Sequence, residues 1–399
     1  MQEALAAAYR EHWARLLALL TKRFGDIDLA EEALQEAFAA ASRAWMEERP
    51  ANAAGWLMIT ARRKALDKLR RQAALSRRHR FAWMGADVGE AEEEGLPDER
   101  LGLLFMCCHP ALSREAQVAL TLRVVAGIST EAIAGLFLVP VPTMAARLTR
   151  AKNKIRAARI PFREPQADEL AERMAGVMAV IYLIFTEGYV PREGVAVMRA
   201  ELCEEAVRLG RALCEVAPDS EEARALLALM LLQNARRDAR LGADGEVLTL
   251  DQQDRSLWRH DEIADAVTLL EGIGGKGFAG AYHLQAAIAV EHSRPWRSAD
   301  WRVVAQLYAL LEAVQPSPFV RLNRAVAVME AFGPERGLEL LADVEEQLVG
   351  HGPMHLARGE MLLRAGQSEA GRAAIGRALE LSRKVAERRY LEARLREIG

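Results

Sequence analysis

The stretch SREAQVALTLRVVAGISTEAIAGLFLVPVPTMAARLTRAKNKIR, Ser113–Arg156, decides how the rest of the chain is read. It holds two short helical patterns joined by a tight connection. Ala132, Ile133, Leu136 and Phe137 put apolar groups on one helical face. Thr130 stands where an N-cap is expected, just before Glu131. Pro140 ends that helix near Leu138 and Val139. Pro142 suits the first turn of the next helix, where its missing N–H leaves no bond unmade. This second helix carries Arg147, Arg150, Lys152, Lys154 and Arg156. Paired helices, a turn and a basic second helix make a helix-turn-helix, the shape that enters a DNA major groove. A basic helix merely exposed to water is the plainer alternative, and the turn and the pairing weigh against it.

Working outward, 399 residues imply two or three domains with ample apolar content for their cores. Ala, Leu, Glu and Arg dominate and strand-like alternation is scarce, so the expected fold class is all-α. No run of about 18 uncharged apolar residues exists, so no membrane span is expected. Charged and aromatic residues break the apolar runs at the N-terminus, which argues against a signal peptide and for a cytoplasmic location. Residues 1–163 carry a net charge of +6 and residues 164–399 one of −9. That asymmetry fits a front half that binds nucleic acid and a back half that does not. Cys107, Cys108, Cys203 and Cys214 have no zinc-type spacing. They read as small buried hydrophobes in a reducing compartment, rather than as a redox or metal cluster with His109.

The run LVPVPTMAARLTRAK resembles the recognition helix of sigma factors of the extracytoplasmic-function (ECF) group, within the sigma-70 family, which typically reads GVPEGTVKSRLSRAR. Val139, Pro140, Thr143, Arg147, Leu148, Arg150 and Ala151 match, and Ala145 replaces the usual Lys. Nearer the N-terminus, residues 3–22 form an amphipathic helical pattern with Leu5, Tyr9, Leu16 and Leu20 on its apolar side. Next comes DLAEEALQEAFAAASRAW, Asp28 to Trp45, a helix that Asp28 can cap and whose first turn Glu31 and Glu32 favour through the dipole. Its AEExLQEAF pattern is similar to the segment of sigma region 2 that docks on the β′ clamp of RNA polymerase. GWLMITARRKALDKLRRQ, Gly55 to Gln72, resembles the family's WLxxIARNxAIDxLRR, with Arg63 in place of Asn. Residues 60–80 hold nine Lys and Arg and one acid, Asp67, a phosphate-tracking composition. Trp56 reads as core rather than as a base stack.

The resemblance implies residues 1–80 as sigma region 2, which binds core polymerase and recognises and melts the −10 element. Residues 81–97 follow as a linker, and residues 98–160 as sigma region 4, which reads the −35 element. It implies DNA contact by Thr143, Met144, Ala146, Arg147, Arg150, Lys152 and Lys154 in region 4, and by Arg62, Arg63, Lys64, Lys68, Arg70 and Arg71 in region 2. A base-reading loop is expected around Glu47 to Ala54. Polymerase contact falls to Asp28, Glu31, Glu32, Gln35, Glu36 and Phe38. The partners implied are promoter DNA and core RNA polymerase, through its β′ clamp and β flap.

Residues 164–399 have no counterpart in minimal sigma factors. After an apolar helix at Met174 to Tyr189, they read as helix pairs at about 199–215 with 220–235, 260–271 with 280–292, 300–314 with 318–331, 334–348 with 353–365, and 368–381 with 384–397. An offset of 33 relates Gly333 to Gly366. The stretch LARGEMLLRAGQSEAGRAAIGRALELS resembles a tetratricopeptide (TPR) repeat. FMCCHPALSREAQVALTLR, IYLIFTEGY and LDQQDRSLW are similar to segments of ECF sigma factors with a TPR-like C-terminal extension, with Thr186 where Asn is usual. The expectation is a TPR-like domain that regulates the chain in cis and offers a groove to a soluble protein partner.

No motif for catalysis emerges, and no cofactor, metal or enzymatic activity is expected. GIGGKG, Gly272 to Gly277, fails the phosphate-loop spacing. Gly352 and Pro353 part His351 from His355. Asp244, Asp251, Asp254 and Glu262 miss the calcium-loop spacing. A DNA-binding regulator with a TPR-type sensor, and an enzyme or scaffold with an incidental helix-turn-helix, are the competing readings. Neither needs both region 2 segments ahead of the helix-turn-helix.

Overall fold

The computed structural model describes residues 2–45, 50–75, 99–137, 139–163, 165–189, 200–242, 246–273, 280–295, 298–383 and 385–398. Among them the regular structure is helical, and the β pairing is an isolated bridge between Leu241 and Val247. The fold is all-α, as the composition implies. The chain divides into two compact units, residues 1–183 and 184–399. The expected linker at 81–97, part of the base-reading loop and most of GIGGKG lie outside the described residues.

The first unit begins with α1 (Gln2–Phe24), α2 (Ile27–Ala44) and α3 (Ala53–Leu75). Their shared core is Trp13, Leu16, Leu17 and Leu20 from α1, Leu34 and Ala37 from α2, and Leu57 and Ala61 from α3, all buried. The positive φ of Gly25 lets the chain turn out of α1, and Asp26, in extended conformation, accepts the amides of Asp28 and Leu29. The cap is therefore Asp26 and not Asp28. This matters later, because the Asp28 carboxylate is left to bond elsewhere.

The unit continues with α4 (Arg100–Cys107), α5 (Arg114–Leu120), a π-helical turn at Thr121–Val125, α6 (Thr130–Leu136) and α7 (Val141–Ala157). Ser113 caps α5 and Ser129 caps α6, so the second cap falls one residue before the expected Thr130. Pro140 precedes α7 and Pro142 lies in its first turn. Between α4 and α5 the buried Gln117 amide donates to the carbonyls of Cys108, His109 and Leu112 at 2.9–3.4 Å. Cys107 and Cys108 are fully enclosed, and burial pushes both thiols up, Cys108 to about 11. Unreactive neutral thiols follow.

Helix α8 (Ala167–Tyr189) crosses the division. In the first unit Arg173 donates to the Phe105 carbonyl at 2.7 Å, and in the second the Arg240 guanidinium lies 3.9 Å from the centre of the Tyr189 ring. The second unit then runs through α9 (Ala200–Val216), α10 (Glu221–Asn234), α11 (His260–Glu271), α12 (Ala281–Ser293), α13 (Trp301–Val314), α14 (Pro318–Phe332), α15 (Pro334–Ala342), α16 (Gly352–Arg364), α17 (Ser368–Leu381) and α18 (Val385–Ile398). Two ranges differ from the sequence expectation: α8 begins at Ala167 rather than Met174, and α15 stops at Ala342, with turns carrying the chain on to Gly350.

From α12 onward each helix packs on the next. One cluster joins Leu284, Ile288, Val304, Leu307, Leu311 and Val328, and a second joins Leu322, Met329, Leu341, Met354 and Met361. The turn glycines Gly333 and Gly366 both have positive φ. A Cβ on Gly337 would meet the Ala325 carbonyl at 3.1 Å, and one on Gly359 the Gly371 carbonyl at 3.0 Å. These two close approaches, 325 with 337 and 359 with 371, repeat at 34 residues. The period is thus 33 at the turn glycines and 34 at the helix contacts.

In the long connection after α10, Asp254 caps a short 3-10 turn at Arg255–Leu257. Among the described residues no group of three His, Cys, Asp or Glu could hold a metal ion, and no helix is long and apolar enough to cross a membrane.

Candidate nucleic-acid interface

The helical repeat sorts the side chains of α7 into three strips. Met144, Leu148, Ala151 and Ile155 form the buried strip that seats the helix. Thr143, Ala146, Arg150 and Lys154 lie on an exposed strip. Arg147 shares that side, half-buried, with its guanidinium 5.6 Å from the centre of the Phe137 ring. That contact holds a long side chain near one orientation at the N-terminal half of the helix, where base edges are reached. The third strip, Lys152 and Arg156, is spent on carboxylates of α2.

Two of the residues expected at DNA face inward in this conformation. Met144 is fully buried, so it anchors the helix and does not face a base edge. Lys152 is enclosed by Glu31 at 2.5 Å and Asp28 at 3.0 Å. Burial works to lower the pKa of its ammonium, but the two carboxylates outweigh burial and hold it above its ordinary value.

On α3, Arg63, Arg70 and Arg71 are exposed and Arg62, Lys64 and Lys68 are half-buried. Lys68 bridges Glu32 at 2.8 Å and Glu36 at 2.9 Å, and Lys64 lies 3.7 Å from Glu36. The two lysines expected at DNA thus neutralise two acids expected at polymerase, leaving the arginines as the outward cations of the helix. Arg70 pairs loosely with Asp67 at 3.7 Å, an exposed contact of little energy. Trp56 is half-buried and packs edge-on against Trp45.

The acidic face of α2 splits in the same way. Glu32 and Gln35 are exposed and Glu36 is half-buried. Phe38 is buried against Tyr9, with ring centres 4.9 Å apart. Glu31 is buried, its side chain only 5% exposed. One of its oxygens accepts from Arg123 at 2.5 Å and from Gln35 at 3.0 Å, and the other from Lys152 at 2.5 Å. Asp28 accepts from Arg156 at 2.5 Å. Beside this cluster the Tyr9 hydroxyl donates to the Gly127 carbonyl at 2.9 Å, and the Trp13 indole N–H to the Val124 carbonyl at 3.0 Å. Desolvation raises the Tyr9 phenol to about 12, with Arg123 opposing and Glu31 adding. The sequence reading missed Arg123, Tyr9 and Trp13 as partners of this cluster. The available signal was a lone charge in the apolar run TLRVV, which needs a buried counter-charge.

The strips match known families segment by segment. Residues 8–75 match the family model described as sigma-70 region 2, and residues 102–155 the one described as sigma-70, region 4. Residues 173–273 match a family of unknown function, DUF6596. An uncharacterized protein of Rhizobium meliloti (strain 1021) is 39% identical over 393 residues, covering 95% of this chain and 92% of its own length. The probable ECF RNA polymerase sigma factor SigI of Mycobacterium tuberculosis, in two strains, is 33% identical over 172 residues, 40% of this chain and 56% of that protein. No solved structure matches. The chain belongs to one family with the Rhizobium protein, and it carries a sigma-70 region 2 domain followed by a sigma-70 region 4 domain.

Proposed function

We propose that this chain binds core RNA polymerase and directs promoter-specific transcription initiation. In this reading α7 enters the major groove at the −35 element and α3 tracks the phosphates at the −10 element. The observation that carries it is the exposed strip Thr143, Ala146, Arg150 and Lys154, with Arg147 beside it, on the second helix of a region 4 domain that follows a region 2 domain. Run-off transcription with purified core polymerase on a candidate promoter tests it. A transcript that depends on this chain is expected, and no transcript above core enzyme alone overturns the reading. Arg147→Ala is expected to cost about 1–3 kcal/mol of promoter binding, concentrated at one base pair. An equal loss on every DNA sequence assigns Arg147 to phosphate alone.

For the second unit the reading is a TPR-like regulatory stack. Packing of each helix on the next supports it, as does the 34-residue spacing of the Ala325–Gly337 and Gly359–Gly371 approaches. A cavity of about 710 Å³, lined by Leu250, Val326, Met329, Leu356, Tyr390 and Arg394 among others, is of a size to take a segment of a soluble partner.

A further inference from the structure

We infer that the cavity of the second unit binds an extended peptide segment of a partner protein, one that carries a Lys or Arg beside aliphatic side chains. The inference rests on the TPR-like reading above and adds to it the chemistry of the partner.

Three alternate helices of the stack, α14, α16 and α18, line the cavity, and the connection after α10 closes it through residues 246–252. In a stack of helical hairpins the alternate helices share one face, so their lining runs along the stack as a groove. Helices packed at about 8–10 Å put α14 and α18 roughly 20 Å apart, the length of about six extended residues. A small ligand spans one helix of such a row, and a peptide spans all three. Leu248, Leu250, Val326, Met329 and Leu356 supply an apolar lining on which aliphatic side chains lose their contact with water.

The charged part of the lining is lopsided. Glu246, Asp251, Glu330, Glu360 and Glu397 stand against two cations, Arg364 and Arg394. Both guanidiniums are already engaged. Arg394 donates to Glu360 through two bonds of 2.7 and 2.9 Å and to Glu397 at 2.9 Å, and Arg364 lies 2.8 Å from Glu330. Asp251 is exposed and makes no ion pair among the described residues. The excess of negative charge is felt at Tyr390: burial raises its phenol above the ordinary value, and Glu360, Asp251 and Glu397 add to the rise against Arg394. A cation entering the cavity therefore meets a net negative lining and the aromatic ring of Tyr390. The alkyl stem of a Lys or Arg packs on the apolar lining while its head meets the carboxylates. An acidic segment is repelled. The net charge of −9 on residues 164–399 draws a basic segment from a distance.

The test selects on the full chain from a displayed library of random peptides about eight residues long. Peptides that carry Lys or Arg next to Leu, Ile or Val are expected to be enriched. Synthesised with blocked ends and a fluorophore, they should bind the chain by anisotropy and bind it less well as salt is added. Asp251→Lys, at an exposed position, should weaken them about ten-fold, and Asp251→Asn about three-fold. Ala393→Trp, which fills the cavity from α18, should abolish binding while circular dichroism stays that of the parent. The Asp251 pair decides the matter even where Ala393→Trp does not fold. Enriched peptides that are neutral or acidic, or that bind Asp251→Lys as well as the parent, overturn the basic partner and leave the partner-segment reading standing. Equal binding to a folded Ala393→Trp chain puts the peptides outside the cavity and overturns the inference. Displacement by spermidine at concentrations below the peptide's own Kd overturns it in favour of a small organic cation. No enrichment over a surface without the protein removes the partner-segment reading, and this inference with it.

Discussion

The contact of α2 with α7 in the first unit and the contact of α14, α15 and α16 in the second are built from opposite materials. The first centres on a buried carboxylate, Glu31, held between Arg123 and Lys152. The second centres on Leu322, Met329, Leu341, Met354 and Met361, and its ion pairs, such as Arg364 with Glu330 at 2.8 Å, lie beside that apolar centre. The connections differ to match. Gly333 alone stands between α14 and α15, whereas region 2 and region 4 are joined through the whole stretch 76–98. Apolar burial gains about 25 cal/mol for each Å² and is lost on exposure at any salt concentration. A buried ion pair roughly breaks even against hydration, so it specifies one geometry while costing little to separate. The second unit is thus held by apolar burial, and the first has a seam of charge between region 2 and region 4, with Tyr9 and Trp13 packed beside it on Gly127.

The largest effect expected tests the apolar side of this comparison. Leu341 is 1% exposed within the second cluster. Leu341→Ala should destabilise the second unit by about 2–5 kcal/mol, through lost transfer energy and the cavity left behind. Urea unfolding followed by a probe in that unit would show the loss, and its size should hardly change between low and high salt. A strongly salt-dependent loss would erase the distinction between the two contacts.

The two contacts were also unequally legible in the amino-acid sequence. Helix periodicity is local, so most of the ranges from α8 to α18 could be read to within a residue or two. Caps were harder. Asp26 and Asp28, or Ser129 and Thr130, offer the same chemistry, and only the backbone conformation of each residue decides which one caps. α15 ends six residues early because periodicity does not register where turns replace helix. The contact of α2 with α7 leaves one signal, the lone Arg123 in the apolar run TLRVV, but which acid answers it does not follow from spacing, because Glu31 and Lys152 lie 121 residues apart. Met144 lies among the residues that face bases in such helices, but its helical spacing with Leu148, Ala151 and Ile155 already marks the buried strip.

A smaller effect sharpens the polar side. Tyr9→Phe removes one hydroxyl and leaves the Gly127 carbonyl, across the seam, without its 2.9 Å donor. The expected cost is about 0.5–1.5 kcal/mol. It should appear as lower energy transfer between probes on α2 and α7, with the separate helices intact by circular dichroism. If the loss appears instead as unfolding of α1–α3, the hydroxyl supports region 2 itself and the seam is narrower than described.

The smallest effect separates the seam from the ion pairs beside it. Glu36 bonds Lys68 at 2.9 Å and lies 3.7 Å from Lys64, but both partners sit within region 2, and the Glu36 side chain is 42% exposed. The hydrogen bond from Lys68 holds its carboxyl below the ordinary value of 4.5, with burial working in the opposite direction. A carboxyl whose folded pKa is depressed contributes stability that is fully present above the unfolded value and lost as pH falls through the folded one. Solvent screening limits the contribution to a few tenths of a kcal/mol. Glu36→Gln should therefore flatten the acid limb of first-unit stability slightly, below about pH 4.5, and leave energy transfer between probes on α2 and α7 unchanged near neutrality. Parallel acid limbs in parent and variant would show that the Lys68 pair stores no stability. A change in that energy transfer would mean that the Glu36–Lys68 pair belongs to the seam after all, joining α3 to the contact between α2 and α7.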